Sequence, residues 1–74
     1  MPESSPHGLA AQLYEAAAAE LEVAAAHLRT TTAHFRASEV PRGCAHAWAA
    51  HGHLRRVAAA LDSLAETHAA HARP

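Results

Sequence analysis

The sequence predicts an all-α protein: an antiparallel helical hairpin of two long helices, about 6–37 and 39–72, dimerising into a four-helix bundle. Three observations predict it. Ala, Leu, Glu, Gln and Arg, all strong helix formers, fill both halves of the chain. Between Pro6 and the C-terminal Arg73-Pro74 there is one strong break, Ala37-Ser38-Glu39-Val40-Pro41. On both sides of it, apolar residues recur with the alternating three- and four-residue spacing of a heptad.

The first helix begins at Ser5-Pro6. A Ser oxygen caps free amides, and Pro is tolerated at the first helical position. Residues 1–5 read as a disordered N-terminal tail and 6–74 as one helical domain. The spacing through Tyr14, Ala17, Leu21, Ala24, Leu28, Thr31 and Phe35 alternates large and small side chains at heptad positions a and d. Thr30-Thr31-Thr32 is the weak stretch, because β-branched side chains lose rotamer freedom in a helix. The break follows from Pro41, which lacks an amide proton and disfavours a helical Val40. Ser38 is the expected cap of the second helix, whose seam is Ala47, Ala50, Leu54, Val57, Leu61, Leu64, His68 and His71.

Gly52 offers an alternative. Ala50-His51-Gly52-His53-Leu54 also reads as a helix end and a new start, giving a three-helix bundle with a break near Gly52. This stretch and Ser38-Glu39-Val40-Pro41-Arg42-Gly43 each resemble, over about six residues, the turn of a tetratricopeptide unit without its full repeat, and no function follows from that. The heptad phase passes through Gly52 unchanged, which favours a continuous helix.

Of the apolar residues, 22 are Ala, leaving few large side chains for a core. A chain of 74 residues seldom gains more than about 3–5 kcal/mol from a core of its own. The e positions flanking the seam are Cys44, His51, Ala58, Ala65 and Ala72 on the second helix, and Ala11, Ala18, Ala25 and Thr32 on the first. With Trp48 beside them they make a smooth apolar side, the expected interaction surface: Trp48, Cys44, Ala58, Ala65, Ala18 and Ala25, bordered by Arg55 and Arg56. A homodimer would cover it. Local cover of the turn by Trp48 is the alternative. Residues 27–56 hold five Arg against one Glu, whereas the remainder holds six acidic residues against one Arg. The turn end is therefore basic and the open end acidic, a layout that suits antiparallel pairing of two hairpins.

Eight His stand in the chain. His27 and His34 occupy g positions of the first helix, His46 and His53 those of the second. Antiparallel helices bring g opposite g, and a turn centred near residue 40 pairs His27 with His53 and His34 with His46. These four are the candidate metal ligands, for Zn, Ni or Cu, since imidazole suits those ions. Glu20, one heptad before His27, lies too far along the helix to join the same ion. His68 and His71 form a further i, i+3 pair. The competing readings are polar residues flanking an Ala-rich seam, enriched by codon bias, and a pH sensor.

Other chemistry is scarce. The single Cys excludes a disulfide framework and a multi-thiolate zinc site. Cys44 and His46 point apart on a helix, Asp62 and Ser63 are merely adjacent, and no Gly-rich phosphate loop is present. No catalytic residue and no cofactor are expected. A net charge of −1 argues against nucleic acid despite the basic turn end. No signal peptide or membrane span is evident, which favours a cytoplasmic location. The sequence thus reads as a small non-enzymatic protein–protein interaction module (regulator, adaptor or assembly factor) acting as a homodimer with a protein partner. The alternative is a His-rich transition-metal-binding protein.

Overall fold

The computed structural model describes residues 5–73. Helix α1 spans Pro6–Arg36 and α2 spans Val40–His71, packed against each other as a hairpin. Among the described residues there is no strand. The N-terminal tail expected over 1–5 lies, except for Ser5, outside the described residues.

Ser5 caps α1 as its sequence requires. It adopts an extended backbone, its hydroxyl oxygen accepts the Gly8 amide at 3.0 Å, and Pro6 opens the helix. The Thr triplet does not interrupt α1. Each hydroxyl donates to the carbonyl four residues back, Thr30 to Ala26, Thr31 to His27 and Thr32 to Leu28, at 2.9–3.1 Å. The hydroxyls are thereby satisfied within the helix instead of competing with it.

The turn departs from the expectation at Ser38. Ser38 does not cap α2; it takes a left-handed φ of 61° and ends α1. The Glu39 amide donates to the His34 carbonyl at 2.8 Å and the Ser38 amide to the Phe35 carbonyl at 3.0 Å. Those two bonds form a Schellman motif with Ser where Gly is usual. Glu39 is the N-cap of α2 and makes no side-chain capping bond. Gly52 does not break α2, which is helical throughout. The hairpin holds, and the three-helix alternative does not.

The seam between the helices is built from small residues. Ala17, Ala24, Ala50 and Val57 are the buried apolar side chains, joined by the buried Gly43 beside Phe35. The helices are joined by the three residues 37–39.

Helical geometry divides what remains. From d, position a lies about 40° to one side and g about 60° to the other. The hairpin is therefore a slab with two faces. The a residues Tyr14, Leu21, Leu28, Phe35, Leu54 and Leu61 lie on one face and stay 40–53% exposed. The g residues Glu20, His27, His34, His46 and His53 lie on the other and are all partly buried. The slab measures 53 × 27 × 13 Å, only one helix thick.

Candidate functional site: a histidine ladder and an apolar face

The four g-position imidazoles form one continuous ladder. The His27 and His46 Nδ1 atoms lie 3.0 Å apart across the seam. The His53 ring stacks on His27 at a centroid distance of 5.4 Å and an interplanar angle of 14°. The His34 ring stacks on His46 at 5.4 Å and 22°. Carboxylates close both ends. Glu20 Oε2 meets His53 Nδ1 at 2.9 Å, and Glu39 Oε1 meets His34 Nδ1 at 3.3 Å. Each carboxylate also meets a guanidinium, Glu20 that of Arg56 at 3.8 Å and Glu39 that of Arg42 at 3.0 Å.

The spacing of the ladder differs from two separate His pairs. His27–His53 and His34–His46 do come together, but as ring stacks. The hydrogen bonds run on the other diagonal. The pairs 20 with 53, 27 with 46 and 34 with 39 each total 73. His27 lies between His46 and His53, with ring centroids 5.2 Å and 5.4 Å away, so the expected pairs meet and the hydrogen-bonded partners lie diagonally beside them. Each inner imidazole thus faces two g residues of the other helix, one through a ring stack and one through a hydrogen bond. The sequence reading consequently missed Glu20 and Glu39 as members of the site. Glu20 is too far along α1 to join His27, yet it reaches His53 across the seam. Its signal was its g position, in line with His27 and His34.

A hydrogen bond between two Nδ1 atoms requires one ring to donate and the other to accept. It cannot form when both rings are doubly protonated. At His34 and His53 the carboxylate accepts from Nδ1–H, which fixes the proton there and leaves Nε2 as the lone-pair nitrogen when the ring is neutral. The arrangement orients the imidazole protons along the ladder. No group of three or more His, Cys, Asp or Glu among the described residues is assembled to hold a metal ion.

The other candidate surface is the apolar a face with its e-position border. Trp48 is 74% exposed, and its ring meets the edge of His51 at 6.0 Å. It does not cover the turn. Cys44, Ala18, Ala58, Ala65 and Arg55 are exposed and Ala25 half-buried. Arg56 belongs elsewhere: at position c it lies beside g, and its guanidinium reaches the ladder through Glu20. At the open end, a groove of about 540 Å³ lies between the helices, with Tyr14 and Leu64 as its large apolar walls and His7, His68 and His71 around them. The His68–His71 pair lines that groove and stands apart from the ladder.

No helix among the described residues is long and apolar enough to cross a membrane. Compared with protein-family models, curated proteins and solved structures, the chain matches none.

Proposed function

We propose that this chain is a non-enzymatic protein-interaction module whose working form is a homodimer: two hairpins stacked through their a faces as a four-helix bundle. One observation carries the reading. The hairpin is a single layer with its large apolar side chains on an uncovered face, whereas a stable domain needs two packed layers around a core.

Magnitudes point the same way. A compact chain of this length would have a radius of gyration of about 11 Å, and this one has 16.7 Å. A compact monomer of this mass would expose about 4,400 Å², and this one exposes 5713 Å². The excess is on the order of 1,300 Å² per chain, comparable with what each partner of an obligate dimer buries. A second copy is the occupant that the charge layout favours. Antiparallel stacking sets the Arg-rich turn end of one hairpin against the acidic open end of the other. The small e residues Ala18, Ala25, Ala58 and Ala65 let two a faces approach closely, with Trp48 and Arg55 at the rim.

Sedimentation at micromolar concentration tests this. The expected mass is twice 7.8 kDa, falling to the monomer in Leu21→Arg and Leu54→Arg, with loss of helicity on dilution. A wild-type chain that stays monomeric, fully helical and cooperative in melting at every concentration overturns it. So does a dimer that both Arg variants leave intact.

A further inference from the structure

The ladder lies on the face that such a dimer leaves outward, and its central pair has no task in the dimer. We propose that His27 and His46 form a cis bis-imidazole site for a tetragonal divalent transition ion, Cu(II) in preference to Ni(II). The inference is independent of the dimer. It rests on the two facing Nδ1 atoms, their register and the anchoring of their neighbours.

The facing nitrogens are 3.0 Å apart. With metal–nitrogen bonds of about 2.0 Å, rings that turn while keeping their nitrogens this far apart would give an N–metal–N angle of about 97°, near the cis angle of a tetragonal centre and below the tetrahedral angle that Zn prefers. Entry of the ion requires each ring to turn so that its lone pair leaves the line between the two nitrogens. It also requires the ring that donates Nδ1–H to carry its proton on Nε2 instead. Both rings then offer a neutral Nδ1, and no charge is created on the imidazoles. Copper stands highest in affinity for nitrogen donors among the divalent first-row ions.

The rest of the ladder holds this pair in place. His53 and His34 stack on its two rings, and each is tied by Nδ1 to a carboxylate from the facing helix or the turn. The ion would therefore meet two rings already brought together by the fold, with two or more positions left to water or an external ligand.

Cu(II) titration of the full chain, with glycine as a weak competing chelator, tests the site by calorimetry and electron paramagnetic resonance. The expected result is one ion per chain with hyperfine coupling to two imidazole nitrogens. His27→Ala and His46→Ala should each weaken binding by at least about tenfold, while His7→Ala, His51→Ala and His68→Ala leave it unchanged. Should the ladder variants unfold, the wild type decides the matter. Sub-stoichiometric Cu(II) should broaden the His27 and His46 ring protons before any other imidazole in the proton spectrum. Broadening that begins at His7, His51, His68 or His71 overturns the proposal, as does no uptake against glycine. Sedimentation of the same samples reports the dimer separately, so either idea can fail alone.

Discussion

A Cβ placed on Gly43 would lie 2.5 Å from Cδ2 of Phe35 and 2.6 Å from its Cε2. The ring near the end of α1 rests on bare backbone in the first turn of α2, and it does so only because Gly43 has no side chain. Gly43→Ala should therefore destabilise the hairpin, by about 1 kcal/mol net. Overpacking costs about 1–3 kcal/mol, and the gain in helix propensity returns about 1 kcal/mol. In a Phe35→Ala background the same substitution should become stabilising. Chemical denaturation of the four chains in a double-mutant cycle measures the reversal.

Gly52 gives the opposite outcome from the same residue type. Nothing lies within 4 Å of a Cβ built there, and its backbone is helical. Gly52→Ala should raise stability by about 1 kcal/mol through propensity alone. Thermal melting followed by circular dichroism checks it. Unchanged or lowered stability would mean that α2 is not continuous through this position.

Ser38 holds a left-handed conformation that costs a non-glycine residue about 1–2 kcal/mol. Ser38→Gly should relieve most of that cost, offset by the greater freedom of Gly in the unfolded chain. The expected gain is about 0.5–1 kcal/mol, read from the denaturant midpoint at constant slope.

Ala24 and Ala50 are each 1% exposed at the centre of the seam. Ala50→Leu should cost about 1–3 kcal/mol, because the helices must separate to admit the larger side chain. His46 and His53 lie on the same helix on either side of Ala50. Their ring resonances should therefore shift in the variant even under conditions where it remains folded.

Glu20 closes the ladder by way of His53 and Arg56, but all three are partly or largely exposed. Glu20→Gln should therefore cost less than about 1 kcal/mol, and the difference from wild type should narrow at high salt. A loss several times larger would show that the ladder behaves as a buried network.

Periodicity and punctuation made the two helices legible in the sequence. Ser5-Pro6 marks the start of α1, and Pro41 forces the break near residue 38. The unbroken heptad phase through Gly52 favours one long α2. The same periodicity places four imidazoles at g positions, and because antiparallel helices set g against g, their convergence followed from the chain alone. The register, by contrast, is decided where three residues of turn choose their backbone. Ser38 in the left-handed region ends α1 and sets the three-residue turn, and the ladder then carries diagonal hydrogen bonds beside the expected ring stacks. Local sequence does not determine that choice, because the left-handed conformation is unfavourable for Ser in isolation and persists only when the Schellman bonds and the packing of Phe35 on Gly43 hold it. The tertiary structure alone therefore decided that Glu20 reaches His53, that His27 bonds His46, and that the large apolar side chains stay on one open face.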